Sequence, residues 1–355
     1  MPDDPFDRLR TGSYAAAGVD IAAADRLVAK FAELARTASR PEVLAGVGPF
    51  SGLFRLQGYA DPVLVSSADG VGTKLKLAAL VDGYEGLGHD LVNHCVNDIL
   101  TAGAAPLFFL DYIGGCDLSE EAKVALVRGM AEACREVGCA LLGGETADMP
   151  GLYASGDFDL VGFIVGAVER DGVIDGSDIQ AGDILLGLPS NGLHTNGYSL
   201  ARKVFDVGLG TDSRAERERL LRHYDELGET LAEALLRPHR CYWKDLQPLV
   251  GAHGRAPLLK GIAHITGGGI PGNLPRILPA RLGARVQRDA WETPPIFRLI
   301  QQRGDVPEEE MWRVFNLGLG MILAVAPQDA EAVRAQLPEA LVVGEVVRGT
   351  GVLLE

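Results

Sequence analysis

Apolar positions along the chain switch repeatedly between helical and strand spacing. Behind Asp20, a residue type that caps helix N-termini, Ile21, Leu27, Val28, Phe31 and Leu34 recur on one stripe, which predicts an opening helix over 20–38. Two short β-rich runs follow, "GLFRL" (52–56) and "PVLVSS" (62–67), the second delivering a glycine-rich loop at its end. Leu91, Val92, Cys95, Val96, Ile99 and Leu100 mark a helix over 88–104. A buried strand at 106–114, a helix over 119–137, an apolar strand entering the loop "GGETADMPG" (143–151) and a strand at 159–169 complete the first half.

The segment 170–183 is rich in Gly and Asp and has no apolar period, so the domain junction is placed there. The second half begins with a strand at 183–189, the polar loop "SNGLHTNG" (190–197) and a helix from Tyr198. Helices through 215–250, a strand at 262–266, the loop "GGGIPGN" (267–273), a short helix and strands at 318–326 and 340–347 follow. The expected fold class is α+β in two domains, 1–170 and 171–355, and the lack of any short repeat excludes a solenoid.

Composition narrows the function. The formal charge of -15, without any Lys/Arg-rich run, argues against a nucleic-acid partner. The longest apolar runs, such as 160–168, fall short of the ~18 residues that cross a bilayer. With an acidic opening that lacks an apolar leader, the expectation is a cytoplasmic protein with no membrane partner. Cys95, Cys116, Cys134, Cys139 and Cys241 form no Cys-x-x-Cys pair and read as small core residues.

Chemistry is concentrated in five segments. Asp69, the Asn97–Asp98 pair, and Glu145 with Asp148 each lie beside a glycine or at an element end. Carboxylates from separate loops suit a magnesium-bound nucleotide, although each alone could simply cap a turn. The glycines of "DGVGTK" (69–74) let backbone N–H groups approach phosphate, with Lys74 as a cation. This is no Walker A loop, because the glycine spacing is wrong and Leu75 follows the lysine; "GVGPFSG" (46–52) likewise fails as a Rossmann fingerprint. Ser190, Asn191, His194, Thr195, Asn196 and Ser199 crowd one strand-to-helix turn, where His194 either moves a proton or only bonds backbone. Gly267, Gly268 and Gly269 precede a short helix, either an anion site or a plain turn.

Nine boxes in order, "SYAAAGVDI", "RPEVLAGVGPF", "DGVGTKL", "CVNDI", "PLFFLDY", "GGETADMPG", "SNGLHTNGYSL", "HITGGGIPGNLPR" and "FNLGLGMI", make the chain resemble the phosphoribosylformylglycinamidine cyclo-ligase (AIR synthetase) family over nearly its whole length. The resemblance implies ATP-dependent ring closure of formylglycinamidine ribonucleotide (FGAM) to aminoimidazole ribonucleotide (AIR) in purine biosynthesis, through a phosphorylated amide oxygen. It implies ATP and Mg2+ as cofactors, an ATP-binding first half, and a homodimer whose first-half strands form a shared β-barrel. Carried residue by residue, it assigns Asp69, Asp98, Glu145 and Asp148 to metal. Asp69, Gly70, Val71, Gly72, Thr73, Lys74, Asn97, Asp98, Gly143, Gly144, Glu145 and Thr146 fall to ATP. His194, Thr195, Asn196, Ser199 and Gly267–Gly269 fall to the ribonucleotide, with Lys74 and His194 as catalytic groups. Ala15 and Ala16 stand where many relatives carry lysine and aspartate.

Neighbouring families of the same superfamily are the rival enzymes. A selenophosphate synthetase would show a Cys beside a lysine near the N-terminal glycine loop, and the hydrogenase-maturation relatives end in a cysteine-bearing tail where this chain ends "GVLLE". Thiamine-monophosphate kinase is a further rival; retention of all three acidic loops and His194 speaks against a silent nucleotide-binding scaffold, and the absence of an activated Cys setting against a thiol enzyme.

Overall fold

The computed structural model describes residues 21–250 and 258–355. The Asp20 cap and the box at 13–21, with Ala15 and Ala16, lie outside the described residues, apart from the backbone of Ile21. The chain opens with α1 (Ile21–Thr37), close to the predicted 20–38, and a small ladder of β1 (Val43–Ala45) and β2 (Leu53–Phe54), shorter than the 52–56 run suggested.

The first half is built on a four-stranded sheet of β3 (Pro62–Gly70), β4 (Ala105–Gly115), β5 (Ala140–Asp148) and β6 (Phe158–Glu169), in the order β3-β6-β4-β5. Along β3 the period of two is plain: Val63, Val65, Ser67 and Asp69 face the helices, while Leu64, Ser66 and Ala68 are exposed on the other side. Helices α2 (Leu75–Val81), α3 (Tyr84–Leu100) and α4 (Glu120–Val137) belong to this half, and α3 lies against β3, β4 and β6. Ser119 caps α4, its hydroxyl accepting the Ala122 N–H at 3.1 Å, and left-handed Gly138 ends it. The stretch at 67–77 is hardly a loop, because β3 runs through Asp69 and Gly70 and only Val71 and a 3-10 turn (Gly72–Lys74) separate it from α2. Likewise β5 continues through Asp148, so Glu145 sits on a strand, held there by the parallel ladder to β4.

Helix α3 starts at Tyr84, four residues earlier than its apolar stripe suggested, although Gly86 and Gly88 lie in its first turns. The reason is tertiary. A Cβ at Gly88 would land on the α4 backbone at Leu126 and Met130, and one at Gly129 would land on the Glu85 carbonyl oxygen. The two helices touch backbone to backbone, and only glycine permits that approach.

The second half centres on a six-stranded sheet. Its strands are β7 (Ile184–Pro189), β10 (Gly261–His264), β11 (Leu282–Val286), β12 (Leu319–Val325), β13 (Leu341–Arg348) and β14 (Gly351–Leu354), in the order β10-β12-β7-β13-β11-β14, with β8 (His223–Tyr224) and β9 (Glu229–Thr230) as a separate two-residue pair. Strands β11 and β14 carry too few residues between turns to stand out in the sequence. Helices α5 (Tyr198–Phe205), α6 (Ser213–Leu220), α7 (Leu231–Leu236), α8 (Trp243–Leu246), α9 (Gly269–Asn273), α10 (Pro295–Gly304), α11 (Glu308–Val314) and α12 (Ala330–Gln336) are short. Alternation on the central strands splits the core: Leu186, Leu188, Met321 and Leu323 join one apolar cluster with the first half's helices, whereas Leu185, Ile322 and Ala324 join the second half's own. The halves therefore share a continuous core.

Gly129→Ala should destabilise the protein by about 1–3 kcal/mol through overpacking at the α3–α4 contact, read as a lower urea midpoint at unchanged slope. Gly138→Ala, whose Cβ would meet open space but sit at positive φ, should cost less.

Candidate active site

Five segments meet where the halves join: the turn after β3, the middle of α3, the loop at 190–197, the segment at 237–242, and the end of β10. Helix α3 contributes through a polar stripe, Asp90, Asn93, His94 and Asn97 at i, i+3, i+4 and i+7, all buried.

Lys74 lies at the bottom of this junction with no solvent exposure. Its Nζ reaches Asp90 Oδ2 at 2.7 Å and Oδ1 at 2.8 Å, and donates to the backbone carbonyls of Arg237 (2.9 Å) and His194 (3.3 Å). Asp90 Oδ1 also accepts the His239 N–H at 2.7 Å. Burial pulls the lysine down and pushes the carboxyl up, and their attraction opposes both. With oxygen acceptors on three sides, the ammonium form is the one this cage fits. The expected free cation beside phosphate is, in this structure, an enclosed tie between the halves.

Above it runs a line of imidazoles. Asp69 Oδ2 meets His94 Nε2 at 3.0 Å; His94 Nδ1 lies 2.7 Å from Thr195 Oγ1, which lies 3.4 Å from His239 Nδ1. His239 Nε2 is 3.2 Å from His264 Nε2, and His264 Nδ1 is 2.8 Å from Asp98 Oδ1. Ser67 donates to Asp98 Oδ2 at 2.8 Å. Asn97 holds the 240s segment, donating to Arg240 O (2.8 Å) and accepting the Tyr242 N–H (2.9 Å). Burial works to raise Asp69 and Asp98, yet the hydrogen-bonded His94 and His264 hold both carboxyls below their ordinary range. His94 is raised, the Asp69 contact outweighing burial, whereas burial leaves His264 lowered.

His194 stacks on His239 with ring centroids 4.0 Å apart and has a left-handed backbone (φ 61°), unusual for a residue with a Cβ. Burial first, then the surrounding histidines and Lys74, push it well below the usual imidazole range, so its ring is neutral, and its Nδ1 has no hydrogen-bond partner. Around the opening, Thr73 Oγ1 lies 3.3 Å from Ser199 Oγ, while Gly72 borders the Thr195 carbonyl and Gly267 borders the Asn196 side chain.

The structure thus brings together Asp69, Gly70, Val71, Gly72, Thr73, Lys74, Asn97 and Asp98 with His194, Thr195, Asn196, Ser199 and the Gly267–Gly269 turn. It separates Gly143, Gly144, Glu145, Thr146 and Asp148 from them. Asp69, Gly162, Asp111 and Gly144 stand in one row across four strands, a span of about 14 Å at ordinary strand spacing. Glu145 faces the opposite side of the sheet from Asp69, and Asp148 is paired with Lys123 at 2.8 Å. These residues line a second cavity of about 1010 Å³ together with Phe31, Tyr112 and Asp111. Burial pushes the Asp111 carboxyl up to about 7. Its room comes from Gly144, where a Cβ would land on Asp111 Oδ1.

Four residues of the junction escaped the sequence reading: Asp90, His94, His239 and His264. The α3 stripe was a usable signal for the first two, and His264 stood unremarked in the "HITGGG" box, but nothing near His239 marks it.

A two-domain molecule with its polar junction between a small sheet and a larger one belongs to a known class. Residues 52–168 match the family described as AIR synthase related protein, N-terminal domain, and residues 180–354 its C-terminal domain. Similar solved structures are a thiamine-monophosphate kinase from Stenotrophomonas maltophilia K279a (19% identity, TM-score 0.58, covering 93% of this chain and 95% of that one). Another is the hydrogenase maturation protein HypE in complex with ATP (17%, TM-score 0.63, 94% and 91%). Both share the fold. Far nearer in sequence are the phosphoribosylformylglycinamidine cyclo-ligases of Desulfitobacterium hafniense (strain DSM 10664 / DCB-2), 49% identical over 94% of this chain and 96% of that one, and of Geobacillus thermodenitrificans (strain NG80-2), 48% identical over 96% and 97%. The chain belongs to the phosphoribosylformylglycinamidine cyclo-ligase family. Among the described residues no helix is long and apolar enough to cross a membrane.

Lys74→Met leaves Asp90 charged and enclosed, and should cost about 3–5 kcal/mol in urea unfolding. Adding Asp90→Leu should recover part of that loss; a double variant no more stable than the single one would mean the pair is not the tie between the halves.

Proposed function

We propose that this protein closes the imidazole ring of FGAM to give AIR, converting ATP to ADP and phosphate. Family membership supports the reaction, and the observation that carries the site assignment is the convergence of Asp69, Asp98, His194 and two glycine turns at one junction. HypE, of the same fold, binds ATP, in keeping with a nucleotide as ligand here.

The turn after Gly70, Val71–Thr73, offers backbone N–H groups and the Thr73 hydroxyl to the phosphates, while the Gly70 N–H is given to Asp69 Oδ1 at 2.8 Å. Asp69 and Asp98 would hold Mg2+: their donor atoms are hard oxygens, and His94 and His264 fix the carboxylates from behind. Bound there, the ion supplies neutralisation of phosphate charge. Gly143, Gly144, Glu145 and Thr146 are assigned to the nucleoside end of ATP in the second cavity, and Glu145 and Asp148 are not placed on the same cation as Asp69. The ribonucleotide lies against Asn196, Ser199 and the Gly267–Gly269 turn.

In the first step the formyl amide oxygen takes the γ-phosphoryl group, as the bond to the β-phosphate oxygen breaks. In the second the amidine nitrogen attacks the formyl carbon, the C–O bond breaks and phosphate leaves. The attacking nitrogen must shed a proton, and neutral His194 can accept it. Lys74 acts beneath, holding the His194 backbone carbonyl.

A homodimer is part of the proposal. The outward face of the first sheet leaves Leu64 60% and Phe163 44% exposed, and both edge strands, β3 and β5, lack an outer partner among the described residues. A second copy laid face to face would cover these apolar side chains.

Incubation with FGAM and ATP should yield AIR and ADP in equal amounts; His194→Gln should lower kcat by about 10²–10⁴-fold, and Asp69→Asn should abolish Mg2+-dependent turnover. Unchanged turnover in Asp69→Asn would reject the metal assignment. Phe163→Glu should yield folded monomer by sedimentation, and an unaltered dimer would move the interface elsewhere.

A further inference from the structure

The imidazole line contains one contact that either a shared proton or a bound ion must fill. His264 uses Nδ1 against the Asp98 carboxylate, so it must carry its proton there, which leaves Nε2 as a bare lone pair. His239 places Nδ1 against the Thr195 hydroxyl, and its Nε2 faces His264 Nε2 at 3.2 Å. Two imidazole nitrogens aimed at each other share either a proton or a metal ion. For a tetrahedral ion with bonds of about 2.0–2.1 Å, the edge between two nitrogen ligands is about 3.3–3.4 Å. The pair already has nearly that separation.

Two further features fit an ion. Both outer nitrogens rest on oxygen partners, Asp98 and Thr195, the arrangement that orients imidazole ligands from behind. A third imidazole is at hand: a His194 nitrogen lies within 4.8 Å of the other two; its Nε2 accepts the Asn191 N–H at 3.4 Å, which leaves the proton on its partnerless, buried Nδ1, so His194 joins an ion only by releasing that proton or the Asn191 contact. Asn97 Nδ2, 3.2 Å from His239 Nε2, would release that contact and keep its bond to Arg240 O at 2.8 Å.

We propose that His239, His264 and His194 form a binding site for one divalent transition-metal ion of the zinc class, separate from the oxygen site of Asp69 and Asp98. Three imidazoles select Zn2+, Co2+ or Ni2+ over Mg2+. His239 and His264 are preset, and His194 completes the set by turning its ring off the stack. The ion would clamp the 190s loop, the 237–242 segment and the end of β10 to one another, with Asp98 on α3 behind His264. It would also take His194 away from any proton it serves.

The test needs neither substrate nor turnover, so it stands apart from the cyclo-ligase reading. The full-length protein, stripped with chelator, is titrated with Co2+ in excess Mg2+. One equivalent should develop the intense visible absorption of tetrahedral cobalt, and Zn2+ should erase it. His239→Gln and His264→Gln should each weaken binding by more than about tenfold, His194→Ala by less, and the distant His89→Gln not at all. Only the weak spectrum of octahedral cobalt in the wild-type protein, which reads out even where a buried variant does not fold, would overturn the site. So would undiminished affinity in folded His239→Gln and His264→Gln.

Discussion

The enclosed Lys74–Asp90 pair is the constraint on which the junction depends. It unites a turn and a helix of the first half with two backbone carbonyls of the second, and Asp90 in addition fixes the His239 amide. An ion pair with no access to water tolerates little displacement, because separating the charges or removing either partner leaves the other stranded. The positions of His194 and His239 are therefore set from below by charge, rather than by loop stiffness.

Polar order is layered upward from that pair. Asn93 donates to His239 O at 2.7 Å, Asn97 braces the next residues, and the Asp–His contacts at Asp69 and Asp98 orient carboxylates at the rim. Such a network is costly if half satisfied, and here nearly every member has a partner. The exceptions in the 190s loop are informative: Nδ1 of His194 and Oδ1 of Asn191 are buried without a partner, beside the facing nitrogens of His239 and His264.

The shared core has a functional side. Leu186, Leu188, Met321 and Leu323 of the second sheet pack with the first-half helices, so α3 is held by apolar contact as well as by its buried polar stripe. Its close approach to α4 through Gly88 and Gly129 removes freedom on the other flank. A helix braced on both sides presents Asp98 and His94 at fixed heights above the sheet.

Much of this was legible in the residues. Apolar periodicity located the long helices and the central strands because burial of one face demands it, and the series of boxes carried the family. Asp69, Asp98, His194 and the glycine turns were also marked, since their residue types declare polar chemistry. What the sequence could not supply was distance. Glu145 resembles Asp69 in its surroundings along the chain, yet sheet order places it three strands away on the other face. Lys74 reads as a phosphate cation until the fold encloses it against Asp90, and His239 carries no local signal at all. Periodicity records which face of an element is buried; only the packing of elements against one another decides which side chains share a site.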